Sequence, residues 1–146
     1  MTRRQLIQTL AFTATAASAV GRLEAASPAN AISINHVSMQ VADYTKTRDF
    51  YAGLFGMKVT NDDGKQCRLV FGDNILIARN ASSRPGGKAG VDHIAYTLAN
   101  WDTDKAVKPA VEAELKRRGL MIRTTEGSFH VQDPDGSEVQ MGGKNQ

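Results

Sequence analysis

The stretch Ile34-Asn35-His36-Val37-Ser38-Met39-Gln40-Val41, met again in altered form as Val91-Asp92-His93-Ile94-Ala95-Tyr96-Thr97-Leu98, decides the fold. Each run alternates apolar and polar side chains, the period of a half-buried strand. The two histidines lie 57 residues apart, and other landmarks repeat at a similar offset. Val41-Ala42-Asp43 is echoed by Leu98-Ala99-Asn100, Leu54-Phe55-Gly56-Met57 more faintly by Arg118-Gly119-Leu120, and Gly72-Asp73-Asn74-Ile75 by Gly136-Ser137-Glu138-Val139, where the glycines are 64 apart. A near-constant offset marks one supersecondary unit written twice, with a few residues inserted in the second copy.

Each copy reads as strand, helix, then three strands. In the first, the strand ending at Val41 leads to a helix over Thr45 to Phe55, with Phe50, Tyr51, Leu54 and Phe55 at helical spacing and Gly56 to end it. Strands follow at Met57 to Thr60, Gln66 to Phe71 and Ile75 to Arg79, separated by Asp-Asp-Gly and Gly-Asp-Asn turns. In the second copy Asp102 or Thr103 is expected to cap a helix carrying Val107, Val111 and Leu115, which Pro109 starts or kinks. The Pro-Gly-Gly-bearing stretch 81–90 joins module one (32–80) to module two (91–144).

Strand parity sorts core from site. Val37, Met39 and Val41 share one face of the first strand, leaving His36, Ser38 and Gln40 on the other. Ile94, Tyr96 and Leu98 oppose His93, Ala95 and Thr97; Phe129 and Val131 oppose His130 and Gln132; Val139 and Met141 oppose Glu138 and Gln140. All three histidines therefore fall on the polar parity, and Arg68, Asn74 and Leu76 are expected on the same surface. A three-residue loop Pro134-Asp135-Gly136 with a left-handed glycine sets Asp133 opposite Ser137 and His130 opposite Gln140.

Composition bounds the rest. With 146 residues, 41% hydrophobic and 23% charged, the chain has room for one domain with a real core and no more. The formal net charge of +3 owes much to Arg3, Arg4 and Arg22, and no basic stripe interleaved with aromatics appears elsewhere, so nucleic acid is not an expected partner. The single cysteine, Cys67, excludes an internal disulfide and a cysteine-cluster metal site; its alternation with Leu69 and Phe71 reads as a core thiol. Thr2-Arg3-Arg4-Gln5-Leu6-Ile7-Gln8 and the Ala-rich stretch through Val20 resemble a twin-arginine export signal, too short and mild to span a membrane. Residues 1–31 are read as signal and linker, with cleavage after Ala26 or at Ala29-Asn30-Ala31, and the destination as the bacterial periplasm.

The paired modules, their Asn-His-Val and Asp-His-Ile openings, and Phe129-His130-Val131-Gln132-Asp133-Pro134-Asp135-Gly136 together resemble the vicinal oxygen chelate superfamily of glyoxalase I, bleomycin resistance, fosfomycin resistance and extradiol dioxygenase proteins. The resemblance covers about the last three-quarters of the chain. It implies an α+β fold in which two βαβββ modules pair into a curved mixed sheet with helices on the convex face and a divalent ion on the concave face. His36 and His93 match the family's opening-strand ligands, whereas the position of the usual carboxylate ligand falls on Gln140. A neutral amide holds a dication more weakly than a carboxylate. His130, Glu138 or Gln140 itself is left to complete the site, or no metal binds.

Two functions follow. The first is a small-molecule enzyme using iron, manganese, nickel or zinc, with Glu138 as general base and Arg68, Ser38, Gln40 and Thr97 contacting substrate; lyase or isomerase chemistry is slightly favoured over ring cleavage because the anionic ligand is lost. The second is a metal-free ligand-sequestering protein of the bleomycin-resistance kind, which calls for an aromatic-lined groove, with Trp101 and Phe129 as candidates. Exposed sheet edges and the resemblance both point to a homodimer.

Overall fold

The structure, a computed structural model, describes residues 26–81 and 88–146. Most of the signal-like segment and much of the linker between modules lie outside the described residues. The elements run β1 (Ala31–Val41), α1 (Tyr44–Phe55), β2 (Lys58–Thr60), β3 (Gln66–Phe71), β4 (Asn74–Asn80), β5 (Gly90–Leu98), α2 (Val107–Arg117), β6 (Arg123–Thr125), β7 (Ser128–Gln132) and β8 (Glu138–Gly142). They make one eight-stranded mixed sheet in the order β2-β3-β4-β1-β5-β8-β7-β6, so each βαβββ module contributes four adjacent strands and the modules meet where β1 and β5 pair antiparallel. The α+β architecture of two modules is as the repeat implies. Among the described residues no helix is long and apolar enough to cross a membrane.

Local chemistry explains the helix ends. Asp43, extended at φ −147°, accepts the free amides of Thr45 and Lys46, and Gly56 stops α1 in the left-handed conformation at φ 66°, its N–H returning to the Ala52 carbonyl. The second helix departs from expectation. Neither Asp102 nor Thr103 caps it: Asn100, left-handed at φ 58°, gathers the Thr103 and Asp104 amides on its carbonyl and postpones the helix to Val107, behind an Ala106 cap with no side-chain bond. The Asp102 carboxylate accepts instead from the Lys144 amide. Pro109 sits in the first turn, where a missing N–H costs nothing.

Both helices cover the sheet face opposite the histidines. From α1, Tyr44, Tyr51 and Ala52 pack on Val37, Met39, Cys67, Leu69, Leu76 and Ala78; from α2, Val111 and Leu115 join the cluster of Leu98, Trp101, Phe129, Val131 and Met141. Leu76 thus belongs to the core rather than to the histidine face. The β3–β4 register pairs Arg68 with Ile77 and Leu69 with Leu76, so Ile75, Ile77 and Arg79 share the histidine face, while Leu76 and Asn74 do not. The helical spacing at the end of α1 also misleads about burial. Tyr51 packs inward, but Phe50, Leu54 and Phe55 are 57%, 63% and 61% exposed.

Candidate metal centre

Register turns the strand sequences into rows. Lys58, Val70, Ile75, His36, Ala95, Gln140, His130 and Arg123 lie side by side across all eight strands; Thr60, Arg68, Ile77, Ser38, His93, Glu138 and Gln132 form the next row. The hairpin register, His130 opposite Gln140 and Asp133 bonded to Ser137, is the one the three-residue loop predicts, with Gly136 at φ 85°. Between His36 and Gln140 stands only Ala95, a small residue over which both longer side chains can meet.

The two opening-strand histidines face each other, Nε2 to Nε2, at 3.0 Å, and are 4% and 6% exposed. What aims them is the residue before each. In the β1–β5 ladder Ile34 pairs with Tyr96 and His36 with Ala95, and Ser38 with His93 and Met39 with Val91, so Asn35 and Asp92 are both extra residues at bulges. A bulge re-aims its side chain, here toward the neighbouring imidazole. Asn35 Oδ1 lies 2.9 Å from His36 Nδ1, and its amide is oriented by Nδ2 donating to the Lys144 carbonyl at 3.0 Å. Asp92 Oδ2 lies 2.8 Å from His93 Nδ1, and its other oxygen accepts from Gln40 Nε2 at 2.7 Å.

These partners settle the tautomers. An amide oxygen and a carboxylate only accept, so both Nδ1 atoms carry the hydrogen and both Nε2 atoms offer lone pairs. Two lone pairs 3.0 Å apart repel unless something positive lies between them, a shared proton or a cation. Burial, followed by the charges of His93, Arg68 and Arg79, lowers the pKa of His36 to about 4, against a weaker upward pull from a hydrogen bond with Gln140. His36 thus gives up its own proton readily, which leaves its Nε2 lone pair open to a proton on His93 or to a cation. Cis ligands on an octahedral ion with bonds of ~2.1 Å stand roughly 3.0 Å apart, which fits the observed separation.

The donors around the pair are neutral. Gln140 Nε2 donates to Ser128 Oγ at 3.1 Å, which leaves Oε1 as the amide atom on the histidine side. His130 is close, its ring centroid 5.9 Å from that of His93, but its nitrogens are engaged: Nδ1 lies 2.8 Å from Glu138 Oε1 and 2.8 Å from an Arg123 nitrogen, and Nε2 lies 3.1 Å from Thr125 Oγ1. Its pKa is lowered, by burial first, with the Glu138 bond opposing. Glu138 is tied to His130 and Arg123. Among the described residues no three His, Cys, Asp or Glu side chains converge on a metal position.

The remaining site residues are dispersed along the same face. Ser38 is fully buried beside His93 with an Oγ that has no partner; Gln40 is spent on Asp92, its Oε1 unpartnered; Thr97 accepts from Asn35 at 3.4 Å. Arg68 lies in the His93 row, close enough for its charge to act on His36. A cavity of about 410 Å³ opens beside Glu138, His130 and Arg123, with Leu120, Met121 and Ile122 on its apolar side. Cys67 is buried in the core, which raises its thiol pKa. Sequence reading passed over Asn35 and Asp92 as orienting groups; the signal was an oxygen-bearing residue immediately before each repeated histidine.

One pH effect follows from this burial. The unfolded chain binds the His36 proton near pH 6.5 and the folded chain only near 4, so the unfolded state holds more protons between those values. The stability that neutral His36 contributes is fully present above about pH 6.5 and is lost on acidification toward 4, by about 3 kcal/mol. Urea unfolding of chelator-treated protein at pH 7 and pH 4.5 measures it; a His36→Gln variant with the same acid sensitivity as the parent would remove the assignment.

The model of the Glyoxalase/Bleomycin resistance protein/Dioxygenase superfamily matches residues 33–141. A search of curated protein sequences returns no match. Among solved structures, homoprotocatechuate 2,3-dioxygenase from Arthrobacter globiformis superposes with a TM-score of 0.63 at 25% identity, over 79% of this chain and 37% of that one. A mutant homoprotocatechuate 2,3-dioxygenase from Brevibacterium fuscum gives 0.64 at 19% identity over 84% and 35%, and a Mn(II)-bound glyoxalase from Novosphingobium aromaticivorans gives 0.62 at 18% over 79% and 40%. The chain spans well under half the length of each of these proteins.

Proposed function

This chain belongs to the Glyoxalase/Bleomycin resistance protein/Dioxygenase superfamily, and from that premise we propose that it is a small-molecule enzyme whose divalent metal is held by His36, His93 and the Gln140 amide oxygen. The observation that carries the reading is the opposition of two buried Nε2 lone pairs, each aimed by its own bulge residue. Outer partners of this kind are what metal-bound imidazoles require. The Mn(II)-bound glyoxalase among the similar folds supports a divalent ion, with iron, manganese, nickel and zinc as the candidates.

Such an ion, when bound, polarises substrate oxygens as a Lewis acid. The protein's own groups do the rest. Arg68 and Arg79 make this face positive, which favours a substrate carrying a carboxylate or phosphate, with Arg68 as its anchor. Ser38 Oγ, buried and unpartnered beside His93, reaches a substrate oxygen only if the substrate enters as far as the histidine pair. Glu138 Oε1 is held by Arg123 and His130, so Oε2 is the atom that takes a proton at the edge of the 410 Å³ cavity. With two imidazoles and an amide the ligand set brings no negative charge, and lyase or isomerase chemistry is favoured over ring-cleaving oxygenation. Trp101 and Phe129, the aromatic candidates of the ligand-sequestering alternative, meet edge to face in the core of module two.

Elemental analysis of the mature domain, purified without affinity tag or chelator, tests the proposal. Near-stoichiometric metal is the expected result; none after reconstitution with each candidate ion would sink it. A homodimer is the expected assembly, because the exposed Phe50, Leu54 and Phe55 side chains form an apolar patch on α1 of the kind subunits bury. Sedimentation at micromolar concentration should give twice the chain mass, and a Phe50→Lys, Leu54→Lys variant about one chain mass; a parent protein that sediments as one chain would refute it.

A further inference from the structure

We propose that Ser128, backed by His130 and Glu138, is a positioning residue that decides which end of the Gln140 amide faces the histidine pair. The inference rests on Gln140 serving as a ligand and concerns what makes it one. A glutamine side chain is nearly symmetrical in shape but not in chemistry. Turned one way, it offers an oxygen to a cation; turned the other, it offers two N–H donors to the histidine lone pairs and leaves no ligand.

A hydrogen-bond chain with one direction separates these states. It ends on the Glu138 carboxylate, which accepts only and is held by the donor-only Arg123 guanidinium. Oε1 of that carboxylate lies 2.8 Å from His130 Nδ1, so Nδ1 carries the hydrogen; Arg123 approaches the same nitrogen at 2.8 Å but has the carboxylate at shorter range. His130 Nε2 then accepts, and its neighbours are two hydroxyls, Thr125 Oγ1 at 3.1 Å and Ser128 Oγ at 3.4 Å, themselves 2.7 Å apart. Thr125 Oγ1, the nearer hydroxyl, donates to Nε2, and Ser128 Oγ donates in turn to Thr125 Oγ1, so the Ser128 hydrogen is spent and its oxygen presents lone pairs on its far side. Gln140 Nε2 meets it there at 3.1 Å, and the amide oxygen is left toward His36. Ser128 is buried, so no bulk water competes for its lone pair.

A carboxylate has no wrong end, and this supplies the test. Mn2+ dissociation constants of the full-length protein are measured for the parent, Ser128→Ala, Gln140→Glu and the double variant. Positioning predicts about tenfold weaker Mn2+ binding when Ser128→Ala is made in the parent, the low end of what outer-partner changes cost, and less than about twofold when it is made in the Gln140→Glu background. Equal losses in both backgrounds would mean that Ser128 matters only for packing, and the proposal would be overturned. In metal-free protein, nuclear Overhauser contacts from the Gln140 amide protons to the Ser128 β-protons are expected; contacts to the His36 ring Hε1 instead would overturn it. If neither the parent nor Gln140→Glu takes up Mn2+, the metal assignment fails, and the Overhauser contacts alone decide the amide orientation.

Discussion

A His36→Ala, His93→Ala double variant is expected to lose its bound metal entirely under conditions in which the parent keeps it. Partners one bond removed from a metal are worth ~10–100-fold in affinity, and these substitutions remove two of the three proposed ligands themselves. Removing the imidazoles also leaves Asn35 Oδ1 and Asp92 Oδ2 without the hydrogen each now receives, and an orphaned buried acceptor costs about 1–3 kcal/mol. The variant is accordingly compared with the parent by circular dichroism and urea unfolding before its metal content is read. A folded double variant that still carries stoichiometric metal would place the ion elsewhere and end the assignment of this face.

Gln140→Glu is expected to act in the opposite direction, tightening divalent-metal binding by at least about 100-fold, or ~2.7 kcal/mol. The physical reason is charge. At present the pair faces a neutral amide while Arg68 and Arg79 bring positive potential to the same face. A carboxylate in the Gln140 row would supply the only anion in contact with the ion; even at an effective dielectric of about 20 the attraction is several kcal/mol, part of which desolvation offsets. Calorimetric titration with Mn2+ and Zn2+ measures the change. An unchanged affinity would show that the Gln140 side chain does not reach the ion, and would leave the two histidines to hold it with solvent or substrate alone.

What the sequence revealed and withheld divides along physical lines. Periodicity and repetition exposed the two modules, the strand parities and the left-handed Gly136 loop because each depends on residues close in sequence. Register across the sheet does not. The placement of Leu76 went wrong by one residue, and a one-residue error in a strand exchanges its two faces. The α2 cap was missed because Asn100 adopts a left-handed turn that draws two amides away from the helix start, a choice that no helix pattern records. His130 and Glu138 were read as independent candidates, whereas the fold brings them and Arg123 into one bonded group through pairing of β6, β7 and β8. The bulges at Asn35 and Asp92 are visible only once the two strands of the β1–β5 ladder are counted against each other.

The seam between the modules has a consequence for cohesion. His36 belongs to one copy and His93 to the other, on strands that pair across the middle of the sheet. Neither half of the duplication owns both histidines, so the ion proposed for this site would work as a clasp on the joint. Its binding free energy would add to the docking of the halves, about 2.7 kcal/mol with the ion at about a hundred times its dissociation constant. Under that assignment metal scarcity would be felt mechanically as well as chemically: withdrawing the ion would take a brace from the joint that makes two copies of a motif into a single protein and leave it to the β1–β5 ladder.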